Sequence, residues 1–341
     1  MNHVLVTGGS GYFGLILVGK LLQRGCKVSV LDIQRAQDMP EEVDFHLGDV
    51  RHLAALEAPF EGVDTVFHCV AQVPLVRDKE LFESVNREGT RNVLEQSLKA
   101  GCSKVLYISS SAVFGIPRSN PVTEKTPPTP MEAYGKAKYE AELLCQDYQK
   151  QGLDVSIIRP RTIVGHGRLG IFQILFDWIK HGYNVPVFGR GDNLYQFVHA
   201  DDLAEACLAA AARPGAETYN IGAADFDTMR NSLQALCDYA GTGSRVRGVP
   251  QGPTEFLMKL AIRLRLVPLA SYHSLMYGRS LYFDISKAQQ DLNWKPAYSN
   301  SEMLIESYCN YLTAPPTTDG TASVHRSRVK HGLLWLIKFF L

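Results

Sequence analysis

Short runs of β-branched and aliphatic residues alternate with helix-like stretches along the first 165 residues. The runs are mostly continuous rather than alternating in polarity, which is typical of parallel strands buried on both faces. Helical patterns fill the gaps, and several of them end at glycine. The predicted strands are HVLVT, KVSVLD, VDFHLGD, DTVFHCV, KVLYISS and DVSIIRP, with ETYNIG near residue 220 as another. The pattern predicts an α/β fold built on a doubly wound parallel sheet.

The strand–helix rhythm breaks in two segments, which are richer in aromatic residues, Arg and Pro. We interpret residues 166–192 and 223–312 together as a smaller, discontinuous substrate domain. Residues 1–165 plus about 193–222 then form the nucleotide-binding domain. A Pro/Thr/Ser-rich linker is expected at 313–323.

The last segment, residues 324–341, is basic at first and then aromatic and aliphatic. It is too short to span a bilayer, so we expect either a peripheral contact with a membrane surface or a helix docked on protein. The N-terminus lacks the basic and apolar regions of a signal peptide, and no run of about 18 apolar residues predicts a spanning helix. The expected location is cytoplasmic, or peripheral on the inner face of a membrane.

Charge and cysteine content exclude several classes of protein. The formal net charge is zero, which removes the global electrostatic case for a nucleic-acid partner. The seven cysteines are scattered, without a Cys-x-x-Cys pair, which indicates buried thiols in a reducing compartment rather than disulfides or a zinc site. The expected partner is therefore a small-molecule substrate.

A glycine-rich turn follows the first predicted strand directly. In VLVTGGSGYFG, Gly8 suits the tight turn, Gly11 the close approach of a pyrophosphate, and Gly14 the packing of helix on sheet. The helix N-terminus behind them would offer N–H groups to the phosphates. Asp32 ends the second strand, where a carboxylate accepts from ribose hydroxyls and repels a 2′-phosphate. This combination predicts a Rossmann-type NAD site, although Arg35 complicates the preference for NAD over NADP.

The ends of later strands supply further cofactor positions. Asp49 and Val50 follow the third strand, where the adenine edge would lie, and Val70 and Ala71 end the fourth, beside the nicotinamide ribose. The chain here resembles an extended short-chain dehydrogenase/reductase over roughly residues 1–312. The motifs that carry the resemblance are TGGSGYFG, GDV, VNREGTRNV, ISSSAVFG, AYGKAK, RPRTIVGHG, YQFVHADDLA, YNIG and DISKAQQDLNW. The resemblance also implies cofactor contacts at Tyr12, Phe13 and Pro160, and a homodimer through the helices after the fourth and fifth strands.

The motif AYGKAK places Tyr134 and Lys138 one turn apart on one helix face. A positive charge about 4 Å from a phenolate is worth about 4 kcal/mol at an effective dielectric of about 20. This interaction would lower a tyrosine pKa by about three units, toward neutrality. We therefore predict that Tyr134 is the general base or acid of a redox site. Lys138 would tune Tyr134 and bind the nicotinamide ribose.

Three consecutive serines precede this pair. The resemblance aligns ISSSAVFG so that Ser110 orients the substrate oxygen, with Ser111 as the alternative. Asn86 matches a family asparagine that supports the active-site helix.

Departures from the family patterns narrow the range of possible substrates. Sugar dehydratases carry an acid pair where this chain has Ser111 and Ala112, which disfavours dehydration. Epimerases often carry asparagine where Thr162 stands and an arginine where Tyr195 stands, and that arginine neutralises a diphosphate. The arginines that would compensate are Arg161, Arg168, Arg190 and Arg279.

The long apolar stretch at 254–278 resembles the substrate segment of 3β-hydroxysteroid-dehydrogenase-like enzymes. It predicts either a wall for a hydrophobic or lipid-linked substrate or a plain core helix. His166, His181, His199 and His273 show no metal-ligand spacing, so no metal is predicted, and HADD is expected to cap the helix that begins near Asp201.

The favoured function is NAD-dependent hydride transfer between a secondary alcohol or ketone and nicotinamide. Two alternatives stay open. The first is a nucleotide-sugar or polyprenyl-linked-sugar epimerase that retains NAD through turnover, and the second is a non-catalytic NAD-binding scaffold.

Overall fold

A computed structural model describes most of the chain. The described residues are 1–73, 79–167, 172–264, 266 and 277–313. Arg168, His273, most of the linker and the tail at 324–341 lie outside them, so the predictions made for those residues are not addressed by the structure.

A seven-stranded parallel sheet forms the centre of the molecule. Its strands are β1 (His3–Thr7), β2 (Lys27–Asp32), β3 (Asp44–Leu47), β4 (Thr65–His68), β5 (Lys104–Ile108), β6 (Val155–Pro160) and β10 (Thr218–Ile221). The order β10-β6-β5-β4-β1-β2-β3 confirms the predicted doubly wound fold and all seven strand assignments. The winding direction reverses between β1 and β4, and ligands bind at such switch points, outside the carboxyl ends of the strands.

One strand departs from the expectation of burial on both faces. Strand β3 pairs only with β2 at the edge of the sheet, and Leu47 is 74% exposed. An edge strand with solvent on one side does not need the continuous apolar sequence of a central strand. Its sequence, DFHL, accordingly mixes polar and apolar residues.

Helices cover both faces of the sheet and extend beyond it. They are α1 (Tyr12–Gln23), α2 (Gly89–Lys99), α3 (Ala133–Lys150), α4 (Phe172–Lys180), α5 (Ala200–Ala212), α6 (Met229–Ala240), α7 (Gln251–Arg263), α8 (Ser286–Leu292) and α9 (Asn300–Thr313). Short helical turns lie at Leu53–Leu56, Ala58–Phe60, Lys79–Leu81 and Ser111–Phe114, with a π-helical turn at Phe82–Glu88. Within the described ranges, no helix is long and apolar enough to cross a membrane.

Two small parallel pairs of strands complete the fold. Strand β7 (Thr162–Val164) pairs with β9 (Phe197–His199), and β8 (Val185–Phe188) pairs with β11 (Val246–Val249).

Three apolar clusters stabilise the fold. One packs α1 and α5 on one face of the sheet, and a second packs α2 and α3 on the other face. The third joins α4, α6 and α9 with β8 and β9. Helix α7 has no buried residue, and Phe256 and Leu257 are 67% and 61% exposed. The core-helix interpretation is therefore wrong for residues 254–263, none of which is buried.

Candidate active site

The glycine-rich turn brings β4 close to the start of α1. Gly8 has φ +76°, and a Cβ added there would lie 2.8 Å from the backbone nitrogen of Val70. The turn is fastened by the Gly8 N–H, which donates to the Leu31 carbonyl at 2.8 Å. A Cβ on Gly14 would overlap the Gly8 carbonyl oxygen, so Gly14 lets α1 pack directly on the turn. The close packing explains why glycine stands at both positions.

Helix α1 begins at this turn with an exposed set of backbone donors. Gly11 is the N-cap, and as a glycine it supplies no side-chain acceptor to the first turn. The side chains of Tyr12 and Phe13 are buried in the core, and the Tyr12 hydroxyl donates to the His166 carbonyl at 3.0 Å. Tyr12 and Phe13 can thus meet a cofactor only through their backbone. The arrangement fits a dinucleotide pyrophosphate, which would take the first-turn N–H groups.

Asp32 is fixed at the carboxyl end of β2. Its carboxylate accepts from the Ser10 N–H at 3.0 Å and from the Ile33 N–H at 2.7 Å. Burial raises the pKa of Asp32, and these backbone hydrogen bonds oppose that shift. Arg35 lies over the Phe45 ring at 5.4 Å and donates to the Pro40 carbonyl. Among the described residues, no ion pair joins Arg35 to Asp32. Arg35, which complicated the prediction of NAD over NADP, instead contacts Phe45 of β3.

Replacing Asp32 by alanine is expected to weaken NADH binding by about 10- to 100-fold, because charge-assisted hydrogen bonds to the ribose are lost. NADPH binding should weaken less or improve, since the repulsion of a 2′-phosphate is removed. Fluorescence titrations with both cofactors measure the ratio. Glu41→Ala, which removes an exposed acid after β2, is the matched control. An unchanged NADH/NADPH ratio in Asp32→Ala would refute the ribose role.

The other predicted cofactor residues lie along the same edge of the sheet. Asp49 is held by Arg51 through contacts of 2.6 and 2.9 Å, which keep the pKa of Asp49 below its usual range. The Val50 carbonyl accepts from Asn92 at 2.9 Å, and Val70 adjoins Gly8. These positions, together with Ala71 after β4 and Pro160 at the end of β6, remain predicted contacts.

Lys138 is almost fully enclosed beneath this edge. It is 2% exposed, its ammonium donates to the Ile108 carbonyl at 2.7 Å, and its Nζ lies 4.7 Å from the centre of the Tyr107 ring. Burial lowers the pKa of Lys138 to about 8. Burial is also the main reason that the pKa of His68 falls to about 3, and the nearby Lys138 charge adds to the effect. A neutral His68 with both ring nitrogens at threonine hydroxyls, those of Thr7 and Thr90, is not an acid–base candidate.

The start of the helix that carries Tyr134 is positioned by Glu132 and Gly135, to which the motif analysis assigned no role. Glu132 caps α3, because its carboxylate accepts from the N–H groups of Tyr134 at 2.9 Å and Gly135 at 2.6 Å. A Cβ on Gly135 would lie 2.5 Å from the Ala112 carbonyl oxygen, so glycine lets the start of α3 pack against the serine turn. The half-buried Tyr134 ring meets Phe82 edge-on, with the ring centres 6.1 Å apart. The signal for Glu132 was its place before the helix, although glutamate is uncommon as an N-cap.

The three serines have different environments. Ser109 donates to Glu142 at 2.5 Å and is buried, and the buried Ser111 accepts from Arg161 at 2.8 Å. Ser110 is half-buried, and its oxygen accepts from the Ala112 N–H at 3.2 Å, so its proton is available to a substrate. The geometry supports Ser110 over Ser111 as the residue that orients the substrate. Asn86 is buried and bridges the backbone of Gln72 with both amide atoms, which suits a supporting role.

A buried ion pair connects the serine turn to β6. Glu142 is fully buried and accepts from Arg159 at 2.9 and 2.6 Å, as well as from Ser109. The pair joins the segment of Ser110, which follows β5, to that of Pro160 in the neighbouring strand β6. Nothing in the spacing of residues 109, 142 and 159 indicated this network.

Glu142→Ala is expected to lower the free energy of unfolding by about 3–5 kcal/mol, because it leaves the Arg159 charge buried and unpaired. Denaturant unfolding measures the change, with Glu140→Ala on the exposed side of the same helix as control. A loss below about 1 kcal/mol, typical of exposed ion pairs, would contradict the proposed importance of this network.

The predicted substrate residues fall into two groups. Arg161, Ser111, Thr162 and Tyr195 are together: Arg161 lies 4.8 Å from the centre of the Tyr195 ring, and the Tyr195 and Thr162 hydroxyls are 3.1 Å apart. Arg279 instead lies 3.3 Å from Glu255 of α7.

The histidines form a cluster that their sequence spacing did not reveal. His199 Nε2 lies 2.6 Å from Glu306, and His166 Nδ1 is 3.8 Å from the same carboxylate. The Asp201 N–H donates to His199 Nδ1, which leaves the ring proton on Nε2, toward Glu306. The contacts of His199 are those of a helix cap at Nδ1 and a hydrogen bond between Nε2 and the Glu306 carboxylate. The predicted cap of α5 is confirmed, with His199 as the N-cap.

The chain matches a family model and is similar in sequence to several known proteins. The family model described as "NAD dependent epimerase/dehydratase family" matches residues 4–222. An uncharacterized Sinorhizobium fredii protein is 51% identical over 344 residues, covering 100% of this chain and 87% of that protein. Human sterol-4-alpha-carboxylate 3-dehydrogenase, decarboxylating, is 37% identical over 213 residues, which is 60% of this chain and only 56% of the human protein.

Solved structures show the same fold. UDP-glucose 4-epimerase of Thermotoga maritima, solved with UDP-glucose, aligns with a TM-score of 0.77 and 24% identity over 91% of this chain and 99% of that one. UDP-glucuronic acid 4-epimerase of Bacillus cereus, solved with NAD, gives a TM-score of 0.74 and 22% identity, covering 91% and 99% of the two chains. With its switch-point glycine turn, Asp32 and the Tyr134–Lys138 helix, the chain belongs to the NAD-dependent epimerase/dehydratase family of extended short-chain dehydrogenases/reductases, and NAD is its cofactor.

Proposed function

We propose that the protein transfers hydride between a secondary alcohol or ketone and NAD, with Tyr134, Lys138 and Ser110 as the catalytic residues. One observation carries the proposal. The buried Lys138 lies one turn after the half-buried Tyr134 on α3, and the start of this helix packs at Gly135 against the turn that follows Ser110. Enzymes of this family perform dehydrogenation or epimerisation, and both reactions begin with hydride transfer from an alcohol carbon to NAD.

The residues act in a fixed order during oxidation. Ser110 donates a hydrogen bond to the substrate oxygen and directs the hydroxyl toward Tyr134. The Tyr134 phenolate takes the hydroxyl proton as the carbinol C–H bond breaks, so that alcohol becomes ketone and Tyr134 becomes neutral. The protonated Lys138 stabilises the phenolate beforehand. NAD supplies the hydride acceptor for oxidation and, once reduced, the donor for the reverse reaction.

Two of the arginines that could neutralise a nucleotide diphosphate, Arg190 and Arg279, are already engaged. Tyr195 stands at the usual arginine position and is 6% exposed, with its hydroxyl at Thr162. Arg279 pairs with Glu255, and Arg190, with an 89% exposed side chain, pairs with Asp192 at 3.2 Å. These pairings favour a dehydrogenase over a nucleotide-sugar epimerase. Helix α7, with its exposed Phe256 and Leu257, favours a hydrophobic substrate.

The named relatives span both possibilities. The human relative acts on a sterol carboxylate by its name, and the solved neighbours are UDP-sugar epimerases. Absorbance at the nicotinamide band separates the two. A dehydrogenase accumulates NADH in proportion to substrate, whereas an epimerase converts substrate with no net change. Conversion of a UDP-sugar without NADH accumulation would make epimerisation the function.

We also propose two finer features, a homodimer implied by the family resemblance and a membrane contact suggested by the composition of the tail. A homodimer would form across α2 and α3, where Leu98 and Leu143 are 38% and 41% exposed. The tail at 324–341 would contact a membrane surface through its basic and apolar residues. Sedimentation at several concentrations tests the dimer, and flotation with anionic vesicles, compared with a chain truncated after residue 323, tests the membrane contact.

A further inference from the structure

Arg161 is a buried arginine with two aromatic rings close to its guanidinium. It is 1% exposed, and its guanidinium carbon lies 4.8 Å from the centre of the Tyr195 ring and 5.5 Å from that of Phe283. One terminal nitrogen, Nη1, donates to Ser111 at 2.8 Å.

The remaining in-plane donors of Arg161 have no partner. Nε and Nη2 are buried and make no hydrogen bond within the described part of the chain. These two nitrogens form the side edge of a guanidinium, which pairs with a carboxylate through two parallel hydrogen bonds. The Arg161 side edge is therefore the part of the residue best suited to an oxyanion.

Arg159 provides a comparison, because it is a buried arginine that pairs with a carboxylate of the protein. Arg159 lies two residues earlier in the same segment and uses its own Nε and Nη2 to bind Glu142 at 2.9 and 2.6 Å. No carboxylate pairs with Arg161 among the residues that the structure describes. A buried guanidinium without a counter-ion is costly, so its acceptor is expected to come from outside the chain.

The unpaired edge belongs to a residue beside the reacting groups. Arg161 follows Pro160, and its partner Ser111 follows Ser110. The hydrogen bond from Arg161 Nη1 to Ser111 ties Arg161 to the turn that carries Ser110, the residue proposed to orient the carbinol.

We propose that the Nε–Nη2 edge of Arg161 is a carboxylate-binding subsite, so that the substrate is a hydroxy acid whose carboxylate lies close to the reacting carbinol. The inference rests on the proposed function, because it takes Ser110 as the residue that orients the carbinol. The planar carboxylate matches the two parallel donors of the Nε–Nη2 edge. A neutral substrate would leave the buried charge uncompensated.

Binding of a matched acid and amide tests the subsite. The protein is the full chain carrying Tyr134→Phe, saturated with NADH, so that binding is measured without turnover. The probes are 2-hydroxycyclohexane-1-carboxylate and its carboxamide, which differ in charge but hardly in shape. Calorimetric titration should give about 10- to 100-fold tighter binding of the acid, as expected for charge-assisted hydrogen bonds.

Two arginine substitutions then locate the effect. Adding Arg161→Met should bring the two probes to similar affinity while NADH binding is retained. Adding Arg190→Met, which removes an exposed arginine, should leave the preference for the acid intact. Equal affinity of acid and amide with Arg161 present, absence of saturable acid binding, or equal effects of the two substitutions would overturn the subsite. Because no turnover is required, these outcomes are independent of whether the proposed hydride transfer occurs.

The stability of the apoprotein tests whether Arg161 has a purely structural role. Arg161→Met combined with Ser111→Ala removes the buried charge and its hydrogen-bond partner together. Replacing a buried charge by apolar groups of similar size is often neutral or stabilising. An equal or higher midpoint of thermal unfolding supports a ligand-binding arginine, and a clearly lower midpoint would assign Arg161 to structure instead.

Discussion

Replacing Tyr134 by phenylalanine is expected to lower the rate of hydride transfer by about 10²- to 10⁴-fold, the usual contribution of a positioned acid or base. The substitution removes only the hydroxyl, so the contact of the ring with Phe82 and the cap by Glu132 at the backbone stay intact. NADH binding and the midpoint of thermal unfolding should therefore change little. Stopped-flow absorbance at the nicotinamide band, with saturating cofactor, measures the rate.

The matched control lies on the same helix. Tyr139 is half-buried like Tyr134 and packs against the first apolar cluster, so Tyr139→Phe removes a hydroxyl from a residue of similar burial on the same helix. It should retain nearly full activity. Equal losses in the two variants would point to a general effect of removing hydroxyls from α3, and retention of more than a few per cent of the rate in Tyr134→Phe would remove Tyr134 from the mechanism.

Replacing Lys138 by methionine is expected to lower the rate of hydride transfer by about 10³-fold at neutral pH. The loss corresponds to the interaction of about 4 kcal/mol between a phenolate and a nearby cation at an effective dielectric of about 20. Methionine is unbranched and apolar, so it fills much of the same buried space. The rate at neutral pH and its recovery at higher pH, where Tyr134 ionises without help, are the measurements.

The same substitution should change how stability depends on pH. The pKa of Lys138 is lowered from 10.5 to about 8 by burial, so between these values the unfolded chain holds a proton that the folded chain has released. Stability rises with pH wherever the unfolded state binds more protons. The wild-type free energy of unfolding should therefore rise from pH 8 to 10.5 relative to that of Lys138→Met. Parallel profiles would contradict a buried, titrating Lys138.

The sheet could be predicted from the sequence because most of its strands share the same environment, burial on both faces. Six predicted strands are central or flanked by helices, and their continuous apolar runs follow directly from burial on both faces. Only the edge strand β3, with Leu47 exposed, departs from that pattern. Sequence periodicity reports local burial, and it is least informative where a strand has one neighbour.

The candidate site was predicted only where local motifs specify it. Tyr134 and Lys138 lie on one helix, so their relation is fixed by helical spacing. The different states of Ser109, Ser110 and Ser111 depend on Glu142 and Arg161, which are 33 and 50 residues away from their partners. Contacts of that kind are set by the crossing of β5, β6 and α3, and a single sequence does not report them. The histidine cluster is equally non-local, since it joins residues 166, 199 and 306.

The proposed substrate class follows from which arginines already pair with a carboxylate of the protein. Arg279 and Arg190 each meet a carboxylate, while Arg161 keeps its side edge without one among the described residues. Together with the exposed apolar residues of α7, this pairing pattern is the basis for proposing a hydrophobic substrate that carries a single negative group.

The most direct test of the account is a single-turnover experiment at the nicotinamide band. Wild type, Tyr134→Phe and Tyr139→Phe would be mixed with NAD⁺ and a panel of secondary alcohols that includes hydrophobic hydroxy acids, neutral sterols and UDP-sugars. The account predicts a rise in absorbance for wild type and Tyr139→Phe with at least one hydroxy acid, and none for Tyr134→Phe on the same timescale. An equal rise in Tyr134→Phe would contradict the assignment of this site as the place of hydride transfer.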